Sequence, residues 1–380
     1  MKNEKIVICK KTVMDTTDPG IVLDNNGISD YYHHYQKIIL PQWNFGKNKH
    51  EELMKVAEGI KKENRNNDFD CIIGLSGGLD SSYAAFIARE IMGLRPLIFH
   101  VDAGWNTQKA VENIEKLVDG LNLDLYTEVI NWEEMKDLQR AFFMSGISDQ
   151  DLPQDYAFFS SLYKFARKYK IKTILTGGNF STECVREPEE WGGYAGIDTR
   201  LVSDIHKKFG SIPLKTFPLI DILKYKVYYQ YFLGMKVFKP CDYVPFNKKS
   251  VENLLHERFG WKSFKHKHHE SRFTRFYEDF WLVRKFGFDK RKAHFSSLIL
   301  TGQMSRSDAL LRLKKSEMGD EFLKNEFEYV ANKLDFTKEE FKKIFNAKNK
   351  NISDYKNKKK IIDIGKKVLT YMGTEKRMYR

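Results

Sequence analysis

The chain reads as an α/β protein, a parallel sheet flanked by helices, followed by a mainly helical C-terminal region. Three observations predict this. Short apolar runs alternate with amphipathic stretches between residues 46 and 215. One of those runs ends in a glycine-serine turn that opens directly into a helix, "CIIGLSGGLDSSYAAF" at residues 71–86. Past residue 215 the strand signal fades, and helical periodicity dominates in "SVENLLHERF", "RFYEDFWLVRKF" and "DALLRLKKSEM".

Taken in order, residues 1–45 form an irregular lead-in with turn signals at "DTTDPG" and "DNNG". A helix, "HEELMKVAEGIKKEN", precedes the first strand. Strands follow at 70–75, 95–101, 124–130 and 171–176, with helices at 80–92, 107–120 and over 132–169. The predicted organisation is a lead-in over 1–45, a nucleotide-binding domain over 46–215 and a basic helical region over 216–380.

Composition narrows the class. The 380 residues are 42% hydrophobic and 14% aromatic, enough for a packed core, which excludes global disorder. No run of about 18 apolar residues occurs, and "MKNEKIVICKK" lacks a signal-peptide core, so a soluble cytoplasmic protein is expected. Cys9, Cys71, Cys184 and Cys241 are scattered, which fits a reducing compartment rather than a disulfide framework. The net charge of +13 divides into −1 over residues 1–240 and +14 over 241–380. Such a basic half suits nucleic acid, an anionic nucleotide substrate, an acidic partner or a membrane surface, or else is a solvated lysine-rich face. The tail "NAKNKNISDYKNKKK" has no aromatic interleaving for base stacking.

In "IIGLSGGLDSS", Ser76, Gly77 and Gly78 form a loop and Asp80, Ser81 and Ser82 open a helix. Glycines let backbone approach an anion closely, and a helix N-terminus offers free N–H groups and a positive dipole end. The turn lacks a Walker lysine and the three-glycine dinucleotide spacing, so it cradles phosphate through backbone and hydroxyls. The motif resembles the pyrophosphate loop of the N-type ATP pyrophosphatases. That likeness implies an adenine nucleotide alpha-hydrolase-like, Rossmann-like fold, ATP as co-substrate with Mg2+, and cleavage between the α and β phosphates to adenylate a carbonyl oxygen. "FHVDAGWN" is similar to the family's adenosine-side strand end and puts Asp102 near the nucleotide. "LTGGNFSTE" resembles its second glycine-bearing loop, with Gly177, Gly178 and Asn179 at the site and Glu183 assisting a metal held chiefly by Asp80.

The C-terminal half resembles the N-acetyl sugar amidotransferases of surface-polysaccharide and flagellin-glycan biosynthesis, through "KHHESRFTRF" and "FGFDKRKAHFSSLILTGQM". The resemblance implies that the acetamido oxygen of a nucleotide-linked sugar is adenylated. Ammonia from a separate glutaminase then displaces AMP, giving an acetamidino sugar for lipopolysaccharide O-antigen or a related glycan. None of the cysteine contexts shows a glutaminase nucleophile elbow. In "KHHESRFTRF", Arg272 and Arg275 share a helical face at i,i+3 and suit a diphosphate, with Glu270, Lys290, Arg291 and Lys292 as further substrate candidates. Lys267, His268, His269 and Arg272 are catalytic candidates beside Ser76 and Asp80, a histidine managing the ammonia proton. The alternative for this stretch is a basic, solvated helix start.

One departure from the family stands out. Its members commonly open with two C-x-x-C pairs; here Thr12, Ser29 and Tyr32 replace three of the four cysteines. One thiolate cannot hold a tetrahedral zinc, and the adjacent His33 and His34 do not point at one ion, so no structural zinc is expected and packing must hold the lead-in. Two rivals remain. A tRNA-modifying ligase or thiolase on the same loop is favoured only by charge, and no nucleic-acid partner is expected. A non-catalytic nucleotide-binding subunit is disfavoured by intact Ser76, Asp80 and Ser81.

Overall fold

The structure, a computed structural model, describes residues 6–43, 48–192, 197–316 and 318–371. Residues 1–5, 44 and 45 of the lead-in lie outside the described residues. Five strands, β1 (Cys71–Gly74), β2 (Pro96–Asp102), β3 (Asp124–Val129), β4 (Thr173–Leu175) and β5 (Lys236–Phe238), form one sheet in the order β3-β2-β1-β4-β5. Every pairing is parallel; β1 sets Cys71 beside Pro96 and Gly74 beside Phe99. The fifth strand lies past residue 215, where the periodicity predicts helix. It is three residues long, shorter than any window in which alternation is visible.

The helices include α1 (Lys49–Glu63), α2 (Leu79–Phe86), α3 (Gln108–Leu121), α4 (Trp132–Ser145), α5 (Leu152–Lys168), α6 (Phe180–Glu183), α7 (Thr199–Phe209), α8 (Lys248–Phe259), α9 (Arg272–Phe276), which runs on as a π-helix over Tyr277–Phe286, α10 (Arg291–Leu300), α11 (Arg306–Leu313), α12 (Asp320–Lys333) and α13 (Lys338–Asn346). Several of these begin on side-chain caps, such as Thr107 on Ala110 N–H and Asn131 on Glu133 N–H. Strand alternation sends Ile72 into one core layer with Phe142 and Tyr156, and Ile73 into the other with Ala84 and Leu117. Both faces of β1 are therefore dry, as its unbroken apolar run requires.

A third, aromatic cluster joins the C-terminal helices to the sheet domain. Phe143 of α4 meets Trp281 at 4.6 Å, Phe341 at 5.0 Å and Phe273 at 5.8 Å between ring centroids. Three edge-to-face contacts around one buried ring make this a tightly packed seam. The lead-in docks on the far side, where Arg306 bonds the carbonyls of Cys9 (2.8 Å) and Thr12 (2.9 Å). Among the described residues no helix is long and apolar enough to cross a membrane. Phe143→Ala should destabilise the protein by about 3–5 kcal/mol, the usual cost of truncating a buried phenylalanine, as measured by urea unfolding; a change below about 1 kcal/mol would show the seam to be loosely packed.

Candidate functional site

The turn after β1 is braced from three sides. Gly77 sits at φ +80°, and a Cβ there would fall 2.4 Å from the Ala110 carbonyl oxygen of α3. Its own carbonyl accepts hydrogen bonds from Asn113 Nδ2 (3.1 Å) and Trp261 Nε1 (3.2 Å). A Cβ on Gly177 would lie 2.3 Å from the Asp80 carbonyl carbon, so the β4 turn can touch the start of α2 only as glycine. Ser76 Oγ donates to Glu270 Oε1 (3.1 Å), and Ser81 Oγ lies 3.3 Å from Ser76 N. The first N–H groups of α2 have no helical acceptor and face this turn, a cradle for an anion.

Glu270 reaches the loop because its strand-like segment is stitched to the chain after β2. Thr107 N–H donates to the Glu270 carbonyl (3.0 Å) and Arg272 N–H to that of Trp105 (2.8 Å). The same stitching delivers Lys267, whose ammonium lies 3.0 Å from Asp80 Oδ2 and also bonds Glu183 Oε1. Burial would discharge Lys267, but the two carboxylates outweigh it and hold its pKa above the ordinary lysine range. Asp80 and Glu183 thus converge on one cation, as a metal-binding pair must, although among the described residues no group of three or more His, Cys, Asp or Glu is placed to hold a metal ion.

Two cavities open on either side of the loop and share Gly74, Ser76, His268 and Glu270 as walls. The smaller, about 240 Å³, holds Asp80, Ser81, Gly177, Glu183, Lys248 and Lys267. The larger, about 650 Å³, runs past the end of β2 toward α5 and combines Phe99, Phe158 and Leu162 with Asp151, Asp155 and Lys290. His268 stands at their junction in a left-handed conformation (φ +62°), its Nδ1 3.1 Å from Glu278 Oε1. Burial works against a charged ring, but Glu278 holds the pKa of His268 up at about 9. Burial would likewise raise Glu278; the nearby His268 and Lys290 lower it to about 2.

Not every residue singled out from sequence reaches this place. Asp102 lines neither cavity; its carboxylate caps Gly104 N–H (2.8 Å) and steadies Asn106 (3.1 Å), which does line the larger one. His269 is buried against Asp279 (3.1 Å). Arg272 and Arg275 do share a helical face, but both clasp Glu326 at 2.7 and 3.0 Å, in a separate cavity beyond Trp105. Arg291 folds onto Asp289 (2.6 Å), and Lys292 pairs with Asp15 (2.7 Å). Ser82 is buried within α2, and Asn179 caps α6 while its Nδ2 reaches Asp80 Oδ1 at 3.3 Å. Lys290 remains at the site, between Glu187 (2.8 Å) and Glu278 (3.4 Å).

Residues that sequence reasoning missed are Asn113 and Trp261, which brace Gly77, and the cavity-lining Lys248, His294, Asp151 and Asp155. Only the last pair carried a local signal: carboxylates at i,i+4 where a helix begins beside an apolar run. His294 is kept neutral, first by burial and then by Lys267 and Lys248. All four cysteines are buried; burial pushes Cys184 up to about 12 and Cys71 higher still.

Removing the shared ammonium should expose the carboxylate pair. In Lys267→Met, Mg2+ alone should raise the melting temperature by several degrees, while the wild type responds little without nucleotide; equal responses in a thermal-shift assay would contradict the pairing. His268 has a folded-state pKa raised from 6.5 to about 9, so its contribution to stability is fully present below 6.5 and fades as pH rises through 9. The stability gap between wild type and His268→Gln, from urea unfolding, should shrink across that window. A constant gap would show that the ring is uncharged throughout.

Residues 270–369 match the family described as "LPS biosynthesis protein WbpG-like, C-terminal domain". No curated protein matches the chain. Among solved structures, the NMN synthetase from Francisella tularensis is similar at 19% identity over 58% of this chain and 88% of its own, with a TM-score of 0.29. The NH3-dependent NAD synthetase from Campylobacter jejuni shares 15% identity over 71% of this chain and 99% of its own (TM-score 0.33). A predicted subunit of tRNA methyltransferase from Methanocaldococcus jannaschii shares 13% over 49% and 76% (TM-score 0.28). Superposition at such scores is partial, and the fold rests instead on the parallel strand order and the braced loop after β1. Over residues 270–369, then, the chain is similar to the C-terminal domain of WbpG-like LPS biosynthesis proteins, and the lysine-free loop after β1 lies upstream of that match.

Proposed function

We propose that this protein is an ATP-dependent amidotransferase of surface-glycan biosynthesis. It adenylates the acetamido oxygen of a nucleotide-linked N-acetyl sugar, and ammonia then replaces that oxygen to give an acetamidino sugar, AMP and pyrophosphate. The observation that carries the reading is the loop itself: an anion cradle with no lysine in it, at the end of β1, opening on one side to a chamber of mixed charge that holds Lys248 and Lys267 and on the other to a larger apolar and acidic one. In this reading residues 46–215, extended by β5, bind the nucleotide, and the rest of the chain shapes the acceptor side.

The acetamido oxygen attacks the α-phosphorus while the bond from that phosphorus to the β-bridging oxygen breaks, and the amide N–H proton passes to water to leave a neutral imidate. Pyrophosphate develops charge toward the smaller chamber, where Lys267, Lys248 and the N-terminus of α2 offset it without rearrangement. Asp80 and Glu183 are the residues that would hold Mg2+; two carboxylates completed by phosphate oxygens suit that ion, which supplies charge neutralisation to the leaving group. With no accessible thiol among its four cysteines, the chain itself offers no cysteine nucleophile for a glutaminase, which supports a separate ammonia-producing partner.

The test incubates the protein with ATP, Mg2+, ammonium and a panel of UDP- and CMP-linked acetamido sugars. Mass spectrometry should find a product lighter by the difference between O and NH, accompanied by AMP. Asp80→Asn should lower turnover by at least about 10²-fold while remaining folded. Normal turnover by that variant would remove Asp80 from the reaction.

A further inference from the structure

The larger cavity has a cluster of carboxylates whose charge the nucleotide does not explain. Asp151, at the start of α5, and Asp155, one turn on, both line it. The lysine facing them, Lys290, is already shared by Glu187 and Glu278. Asp155 opens onto the cavity and makes no hydrogen bond or ion pair among the described residues, while Asp151 accepts only from the Gln154 amide and the Thr274 hydroxyl. A second feature marks the same place. Tyr277 is fully buried, its hydroxyl has no hydrogen-bond partner among the described residues, and it is aimed at Gly192 in the cavity wall, where a Cβ would come within 2.3 Å of it. An unpaired Asp155 carboxylate beside a partly engaged Asp151, with an unspent hydroxyl just behind the wall, calls for a small, hydrogen-bonding, positively charged visitor.

A sugar diphosphate is repelled here, and a second metal ion would find Asp151 already engaged by an amide. The cation that an amidine-forming reaction consumes is ammonium, which cannot attack until it has lost a proton. We propose that Asp151 and Asp155 receive ammonium in this cavity, and that Asp155 takes its proton as the resulting ammonia adds to the activated carbon. The step rests on the amidine-forming reading above. It balances as follows. An N–H bond of ammonium breaks and an O–H bond forms on Asp155. The freed nitrogen lone pair adds to the imidate carbon, and a proton passes from the added nitrogen to the imidate nitrogen. The carbon–oxygen bond then breaks with its electron pair leaving on AMP, and the sugar departs as an amidinium ion.

The surroundings suit the task. Burial, then Asp151, push Asp155 up to about 7, with Lys290 and His268 pulling down and Glu187 raising it again. Asp149, just before α5, and Glu278, on the π-helical continuation of α9, complete the charged groups facing it. A carboxylate poised near neutrality accepts a proton and releases it within one turnover, which an ordinary surface aspartate does poorly.

Two measurements on the full chain decide the matter. In the infrared difference between wild type and Asp155→Asn, the carboxyl band should titrate near neutral pH and shift to lower pH with ammonium chloride but not with tetramethylammonium chloride. A band indifferent to both salts overturns the proposal. In turnover, Asp155→Asn should lower kcat/KM for ammonium by about 10²–10⁴-fold. Hydroxylamine, which is neutral at the same pH and needs no deprotonation, should lose far less, and Asp151→Asn should follow the same pattern more weakly. Equal losses with both nucleophiles would show that these carboxylates hold the sugar hydroxyls instead. If the wild type shows no acceptor-dependent exchange of pyrophosphate into ATP, the adenylation reading itself fails, whereas the infrared response still judges Asp155.

Discussion

The site is organised around one ammonium shared by two carboxylates. Asp80 belongs to the helix after β1, Glu183 to the short helix after β4, and Lys267 to a segment far along the chain. Left without the lysine, the two acids would repel each other across the mouth of the loop. With it, three segments are drawn to a single point, and the lysine is held charged against the pull of burial. In the proposed reaction that arrangement also places a cation where the departing polyanion needs one. The contact ties the C-terminal region to both β-strand turns, so that region is not an appendage to the sheet domain.

Loop rigidity comes from a different source. Gly77 carries no side chain, so its position is set by what its carbonyl bonds and by what crowds its Cα: Asn113, Trp261 and the backbone of α3. An anion cradle made of backbone N–H groups works only if those groups are already aimed, because reorienting them during reaction would cost what they contribute. The strand-like pairing of Trp105–Arg272 and Thr107–Glu270 fixes the height of this segment above the loop, with Glu270 and His268 standing between two chambers, the larger of them more apolar.

The lead-in is held by packing and hydrogen bonds around one thiol. Thr12 and Ser29 are both fully buried beside Cys9. Cys9 Sγ accepts from Ser29 N–H at 3.2 Å and from Lys11 N–H at 3.4 Å. Although burial alone would raise the Cys9 pKa, hydrogen bonds from Ser29, Thr12 and Lys11 lower it overall. Arg306 then ties the turn to α11 through two carbonyls.

By itself the sequence determined the parallel sheet, the strand-to-helix turn and the residues at that turn's mouth, because each is a local matter: apolar runs, glycines where backbones must touch, hydroxyls and a carboxylate at a helix start. It also carried "KHHESRFTRF" as one basic cluster, and here tertiary structure decided otherwise. Within nine residues the chain sends Lys267 to Asp80 and Glu183, His269 to Asp279, and Arg272 and Arg275 to Glu326. Charge along a sequence says nothing about which distant acid will meet it. Likewise β5 was invisible because three residues show no period, and Asp151 with Asp155 looked like an ordinary helix start until a cavity opened beside them. Local chemistry is written in neighbours along the chain; partnership between charges is decided only when the fold brings them within a few ångströms.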